Sequence, residues 1–418
     1  MNFNTFSFHP QIMGGISTAG YSSPTPIQTQ TIPAILSGSD VLGLAQTGTG
    51  KTAAFVLPIL QRLMIGPRGK LRALILSPTR ELAEQTHVAI TQLGRQTGLR
   101  SLTVYGGVNA KPQIRALSEG VDIVVACPGR LLDLKNQHAI NLSHVEVLVL
   151  DEADHMFDMG FLPSIRRIIE ALPVKRQTLL FSATMPDEIR SLATKILHNP
   201  VTVEIGITIP IDTISHAIYL VEPERKLDLL LHLLRDTGKG QVLVFARTKH
   251  RTKKLAFQLI EAGVSTTSLQ GNLSQPQREA AMNAFRQGKV KVLVATDIAA
   301  RGIDVSQITH VINYDMPDTA DAYTHRTGRT GRMEHLGTAL SLVTLEDLPM
   351  VRTIERLMGQ SLERRKVSGF EVNLNRASQP TIIARQPAMV KQTAQDKVEA
   401  PRPRTYNKNR FHSYAGNR

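Results

Sequence analysis

Cysteine is almost absent: Cys127 is the single thiol in 418 residues, which excludes an intramolecular disulfide and any zinc site built from several thiolates. That usage fits a reducing compartment, and the cytoplasm is the expected setting. No uninterrupted apolar run approaches the ~18 residues of a membrane span; the longest, such as Val145 and Val147 to Leu150, have the length of strands. The N-terminus MNFNTFSFHPQIMGG has neither the positive start nor the apolar stretch of a secretory signal. Acidic residues are also in short supply. Against 49 Lys plus Arg stand 35 Asp plus Glu, a net charge of +14 with an isoelectric point near 10.0. Such an imbalance points to a polyanionic partner, either nucleic acid or an acidic membrane surface, without choosing between them. Hydrophobic residues at 42% and charged residues at 20% are ordinary globular usage. At roughly 150 residues per domain the length allows two or three domains and excludes a disulfide-stapled miniprotein.

Short β-branched or Leu-rich runs alternate with stretches of helical period, the pattern of parallel sheets covered by helices. One series of strands is expected at VLGLA (41–45), ALILS (73–77), DIVVA (122–126), EVLVL (146–150) and TLLFS (178–182). A second follows at AIYLV (217–221), QVLVFA (241–246), VKVLVAT (290–296), HVINY (310–314) and TALSLV (338–343). Leu227, Leu230, Leu231 and Leu234 keep the period of one helical face, and Gly238 stands where a C-terminal cap glycine belongs. The segment 206–215, GITIPIDTIS, has no helical period and reads as a linker. The expected division is therefore an N-terminal region at 1–31, domains at 32–205 and 216–375, and a tail at 376–418. The tail is poor in large apolar residues, has four prolines and carries nine Lys or Arg against Asp396 and Glu399, so it is expected to be disordered. Its net +7 equals that of the remaining 375 residues.

The first strand runs into AQTGTGKT (45–52) and then a helix, the order that a phosphate cradle needs. Gly48 and Gly50 let backbone amides approach phosphates, Lys51 supplies a point charge, and Thr52 offers a hydroxyl to Mg²⁺. Ala45 stands where the generic pattern has glycine. EVLVL then delivers Asp151 and Glu152 to the carboxyl end of a strand, where doubly wound sheets place ligands. Asp151 is suited to Mg²⁺, and Glu152 to orienting and deprotonating a water. The alternatives are a plain helix-entry turn for the loop and, for the acids, a solvated turn or a metal site built from Asp151, Asp154 and His155. Neither reading of the acids accounts for the loop upstream.

DEAD at 151–154, joined to AQTGTGKT, resembles the DEAD-box RNA helicases of superfamily 2, in their bacterial form. The other blocks follow in order: GYSSPTPIQ (20–28), PTREL (78–82), GG (106–107), SAT (182–184), ATDIAARGID (295–304) and HRTGRTGR (325–332). The resemblance spans roughly residues 3 to 370 and rests on many independent motifs. It implies an α/β fold of two tandem RecA-like domains, each a mainly parallel sheet flanked by helices, followed by the basic tail. It implies ATP and Mg²⁺ as cofactors, held by Ala45, Gln46, Thr47, Gly48, Thr49, Gly50, Lys51 and Thr52, with Asp151 as the second metal ligand. By the same resemblance Gln28 reads the adenine edge, Phe3 stacks on the ring and Asp297 touches the ribose. Ser182 and Thr184 bond Asp154, Arg329 and Arg332 reach the γ-phosphate, and His325 and Arg326 join a network between the domains.

The partner implied is RNA, as a single strand or short duplex with little sequence specificity. Pro78, Thr79, Arg80, Gly106, Gly107, Gly129 and Arg130 would contact it from the first domain, and Arg247, Thr248, Gly271, Arg278 and Thr296 from the second. Three departures from the family pattern stand out: Cys127 in place of Thr, Gln270 in place of His, and Met333 and Glu334 in place of Ala-Gly. The implied activity is RNA-stimulated ATP hydrolysis coupled to local, non-processive unwinding and RNA–protein remodelling by a monomeric core. Ribosome-assembly or RNA-decay proteins are compatible partners, and a membrane is not. A DNA helicase on the same fold and a non-catalytic RNA clamp are the rival readings. Intact Lys51, Glu152 and Arg329 weigh against the clamp.

Overall fold

The computed structural model describes residues 2–46, 48–205, 214–238, 240–300, 307–331 and 336–370. Thr47, Arg332, Met333, Glu334, residues 206–213 of the linker and the whole tail lie outside the described residues. Both sheets belong to one compact unit, Met1–Val372.

The first sheet is built from β1 (Val41–Leu44), β2 (Ala73–Leu76), β3 (Ser101–Val104), β4 (Ile123–Ala126), β5 (Val147–Leu150), β6 (Gln177–Ser182) and β7 (Val201–Glu204). All its ladders are parallel, in the order β3-β4-β2-β5-β6-β1-β7. The second comprises β8 (Ile214–Leu220), β9 (Gln241–Phe245), β10 (Thr266–Leu269), β11 (Val292–Ala295), β12 (Ile308–Asn313), β13 (Gly337–Val343) and β14 (Glu363–Arg365), also wholly parallel. Its order, β10-β11-β9-β12-β13-β8-β14, is the permutation of the first sheet counted again from β8. Parallel pairing requires a crossover between strands, and the helices that supply it cover both faces. The interior strands accordingly have no polar side. In β2, Ala73 and Ile75 enter one apolar cluster while Leu74 and Leu76 enter the other, and β4 and β5 divide in the same way.

Some boundaries differ from the sequence expectation. Ile214 and Ser215, assigned above to the linker, pair with Gly337 and Thr338 as the opening residues of β8. The helix Pro26–Leu36 runs across the expected boundary between residues 31 and 32, because Thr25 and Gln28 close a capping box that starts it earlier. The strands β3, β7, β10 and β14 are additional, and their residues are partly polar because they lie at or next to the sheet edges.

Helix starts repeat between the two sheets. Thr79, after β2, accepts the amide of Leu82 at 3.3 Å and caps the helix Arg80–Leu93. Thr248, after β9, accepts that of Arg251 at 3.2 Å and caps Lys249–Glu261. On β8, His216 Nδ1 bonds Tyr323 Oη at 3.0 Å and so ties the sheet to the helix Ala320–Thr327, whose last turn carries His325 and Arg326. Burial pushes the His216 imidazole down to about 4. As pH falls below the ordinary histidine value of about 6.5, the unfolded chain takes up a proton that the folded chain refuses until pH 4 is near. Stability is therefore present above that range and lost on descending through it. Urea denaturation across this interval is expected to show a shallower loss in His216→Phe than in the wild type, and an unaltered slope would contradict the assignment.

Candidate active site and nucleic-acid cleft

β1 ends at Leu44, and the chain turns through Ala45 to Gly50 into the helix Lys51–Leu63. Gly50 has φ +93°, and a Cβ there would stand 2.6 Å from Gln28 Nε2, so glycine alone lets the loop lie against that amide. Lys51 is buried and its Nζ donates to the Ala45 carbonyl at 2.6 Å, while Thr49 Oγ1 donates to the Gln46 carbonyl at 2.8 Å. The loop is thus held in shape beneath a helix N-terminus, whose first amides lack intrahelical partners and suit a phosphate. Gln46 Nε2 is buried and has no hydrogen-bond partner, a further donor without an acceptor.

Gln28, itself buried, accepts the Thr25 amide at 3.0 Å and donates to the Gly50 carbonyl at 3.0 Å. One N–H and one oxygen lone pair remain on its side chain for a base. Phe3 lies in the core of the first domain. Its ring is 1% exposed and packs edge-on against Phe6 and Tyr21, each at 6.1 Å, which makes it a core anchor in this structure.

Asp151, Glu152 and Asp154 emerge buried from the end of β5. Glu152 adopts φ +52° as the residue before the short helix Ala153–Asp158, and its Oε2 lies 2.8 Å from His155 Nδ1. Burial, and then the neighbouring Glu152, push the Asp151 carboxyl up to about 7, against the pull of Lys51. Burial also works against ionising Glu152, but His155, Lys51 and Arg329 outweigh it and hold that carboxyl below its usual range. Asp154 is likewise buried and is held low by His155, Lys51 and His325. Its Oδ2 accepts the amides of Ala183 and Thr184 at 3.1 and 2.9 Å and the Thr184 hydroxyl at 3.1 Å, while its own amide donates to Ser182 Oγ at 3.2 Å. The structure therefore brings Asp154, Ser182 and Thr184 into one cluster. Asp151 at the end of β5 and Thr52 in the first turn of the loop helix are oxygen donors of the type that a hard divalent cation such as Mg²⁺ takes, and such a cation would favour the ionised form that burial opposes at Asp151.

From the second domain, Arg329 is buried, donates to the His325 carbonyl at 3.3 Å and acts on the charge of Glu152. The His325 ring meets that of His155 edge-on at 5.0 Å across the seam. Among the described residues the partners of Arg326 belong to its own domain. Arg326 is 2% exposed, forms a bidentate pair with Asp297 at 2.5 and 2.7 Å, reaches Asn313 and Asp315 and lies over Phe245, all within its own domain. Burying a guanidinium demands such satisfaction, and it ties Asp297 to Arg326.

A cleft of about 720 Å³ opens between the domains. Pro78, Thr79, Arg80, Gly106, Gly129 and Arg130 line it from one side, and Arg247, Gly271, Arg278 and Thr296 from the other. Gly107 and Thr248 are not part of this lining. Gly107 has φ +77° and leaves no room for a Cβ beside the Arg80 guanidinium, and Thr248 is a helix cap. Arg80 and Arg278 are already engaged across the seam, Arg80 with Gln275 at 2.5 Å and Arg278 with Glu81 at 2.7 and 2.9 Å. Sequence reasoning missed Gln275 and Glu81, whose partners lie nearly two hundred positions away in the chain. Arg130, which lines the cleft, donates to the Val108 carbonyl at 3.0 Å and pairs with Asp133 at 4.0 Å, while its Nη1 is buried without a hydrogen-bond partner. Cys127 also lines the cleft and precedes the helix Pro128–Asn136 without capping it; burial and then Glu81 push its thiol up to about 12, so it stays neutral. Gln270 accepts the Asn272 amide at 2.6 Å and shapes the turn at Gly271.

Removing the Gln28 amide unfastens the helix Pro26–Leu36 from the phosphate loop. Gln28→Ala is expected to weaken nucleotide binding about tenfold, equivalent to the ~1.4 kcal/mol of one or two hydrogen bonds, in a fluorescent-nucleotide titration. Unchanged affinity would remove Gln28 from the site.

The DEAD/DEAH box helicase family matches residues 25–192, and the helicase conserved C-terminal domain matches residues 225–334. The chain is similar to the DEAD-box ATP-dependent RNA helicase CshA of Geobacillus kaustophilus, 40% identical over 367 residues covering 87% of this chain and 78% of that protein. It is also similar to the RNA helicase CrhR of Synechocystis, 45% identical over 350 residues covering 83% and 71% respectively. Among solved structures it resembles S. cerevisiae Dbp5 bound to RNA and ADP BeF3, at 31% identity and a TM-score of 0.80, covering 87% of this chain and 95% of that one. On these matches, and on the phosphate loop, acid cluster and two-domain cleft that accompany them, the chain belongs to the DEAD/DEAH box helicase family.

Proposed function

We propose that the chain is an ATP-dependent RNA helicase that acts in the cytoplasm as a monomer and opens short duplexes locally rather than by processive translocation. The observation that carries this reading is that both candidate sites cross one seam. Arg329 and His325 of the second domain act on the acids of the first, and the cleft takes basic residues from both. Two ligands that each need both domains select the same closed arrangement, so each favours the other. Recognition by arginines, glycines and hydroxyls rather than base-reading side chains supports weak sequence specificity and contacts to phosphates and 2′-hydroxyls.

In this reading Lys51 and the loop amides hold the triphosphate, and Gln28 faces the base. Asp151 and Thr52 hold Mg²⁺, which when bound supplies charge neutralisation at the phosphates. Glu152, kept ionised by His155, Lys51 and Arg329, accepts the proton of the attacking water. Arg329 stabilises the charge that develops on the transferred group. Asp154, fixed by Ser182 and Thr184, connects the acid cluster to the β6 turn, through which the state of the nucleotide reaches the cleft.

Glu152→Gln keeps the size of the side chain and removes the base. Turnover is expected to fall by about 10² to 10⁴ while ATP and RNA binding persist; unchanged turnover in a coupled phosphate-release assay would dismiss Glu152 as the base. Arg130→Ala is expected to weaken RNA binding about equally for unrelated sequences and to lower the slope of log K against log salt by about 1. A slope equal to that of the wild type would place Arg130 away from the phosphates.

A further inference from the structure

We propose that Asp154, His155 and His325 form a site for one zinc-class divalent ion at the seam between the two domains, separate from the Mg²⁺ ligands Asp151 and Thr52. One ligand atom from each of the three residues lies within 4.8 Å of the other two. His155 Nδ1 is 2.8 Å from Glu152 Oε2, the geometry of an N–H donated to a carboxylate. In the neutral Nδ1–H tautomer, which holds Glu152 by the hydrogen bond itself, Nε2 keeps a bare lone pair. Nε2 is buried and has no hydrogen-bond partner, a state that is unfavourable unless something accepts its lone pair.

The remaining ligands are available. Asp154 accepts three donors at Oδ2 but only the His155 amide at Oδ1, at 3.0 Å. The His325 ring stands edge-on to that of His155. A void of about 30 Å³ lies beside both imidazoles, on the side away from Asp154, which does not line it. Arg326 and Arg329 border this void, but the charge of the first is matched by Asp297 and that of the second acts toward Glu152.

The donor chemistry discriminates between metals. Two imidazoles and one carboxylate with an open fourth position form the ligand set of three-ligand zinc sites, whereas Mg²⁺ prefers an all-oxygen shell. Glu152 completes the arrangement by fixing the ring of His155, as carboxylates commonly do behind metal-binding histidines. Asp151, which the sequence grouped with Asp154 and His155, is not in the cluster; His325 from the second domain takes its place. An ion held there links the acid cluster to the helix Ala320–Thr327 and so clamps the domains together.

The test uses the full chain, stripped of transition metal, titrated with Co²⁺ in excess Mg²⁺ and followed by visible absorption and equilibrium dialysis. One equivalent is expected to bind with the d–d bands of a four- or five-coordinate ion, and Zn²⁺ to displace it. His155→Asn keeps an amide near the Nδ1 position and removes Nε2; it is expected to weaken binding by about tenfold or more. His325→Asn alters a different domain at a less buried position and is expected to do the same, with circular dichroism verifying the fold of both variants. Absence of the single equivalent, which leaves the void to water, or undiminished binding in either folded variant overturns the proposal.

Discussion

The structure depends on compensating three carboxyl groups that β5 delivers into a site closed to water. Burial opposes ionisation of Asp151, Glu152 and Asp154 alike, and leaving such charges unmatched costs several kcal/mol each. Lys51 answers from the phosphate loop and His155 from the next helical turn. Arg329 answers from the other domain, where burial pushes the neighbouring His325 imidazole down to about 4 and leaves it neutral. Glu152 and Asp154 are thereby held ionised, while at Asp151 burial and the neighbouring Glu152 outweigh the pull of Lys51 and push the carboxyl up. The electrostatics of the first domain is therefore complete only when the second is in place, which ties nucleotide chemistry to domain closure.

The two sheets share one strand permutation yet do different work. In both, a threonine after the second strand caps the following helix, Thr79 in one and Thr248 in the other, so the positions that line the cleft are equivalent. Only the first sheet carries a glycine loop ahead of a lysine. The second contributes instead the helix Ala320–Thr327, with Arg326 in its last turn and Arg329 just beyond it, anchored through Tyr323 to His216 and through Arg326 to Asp297, Asn313 and Asp315. A symmetric fold thus becomes an asymmetric site, with the phosphate cradle on one side and the counter-charges on the other.

What could be read from the sequence follows the range of each interaction. Interior strands such as EVLVL are covered on both faces and announce themselves as continuous apolar runs. The strands β3, β7, β10 and β14 lie at or beside sheet edges, carry threonine, serine, glutamate and arginine, and give no such signal. The phosphate loop and the acids were legible because their spacing is local. The bond from Arg80 to Gln275, 195 positions apart, and the pair of Arg278 with Glu81 were not, since only the folded chain brings them together. Nor does motif position show the surroundings of a residue: Phe3 packs against Phe6 and Tyr21, and Arg326 against Asp297 and Phe245.

The central claim is that one closed arrangement completes both the nucleotide site and the nucleic-acid cleft. Its most direct test is steady-state ATP hydrolysis by the purified chain with and without a saturating single-stranded RNA. Turnover that rises steeply on adding RNA, and less on adding DNA of the same sequence, is the expected result. Equal turnover with and without RNA would contradict the account, because the acids of the first domain would then need nothing from the second.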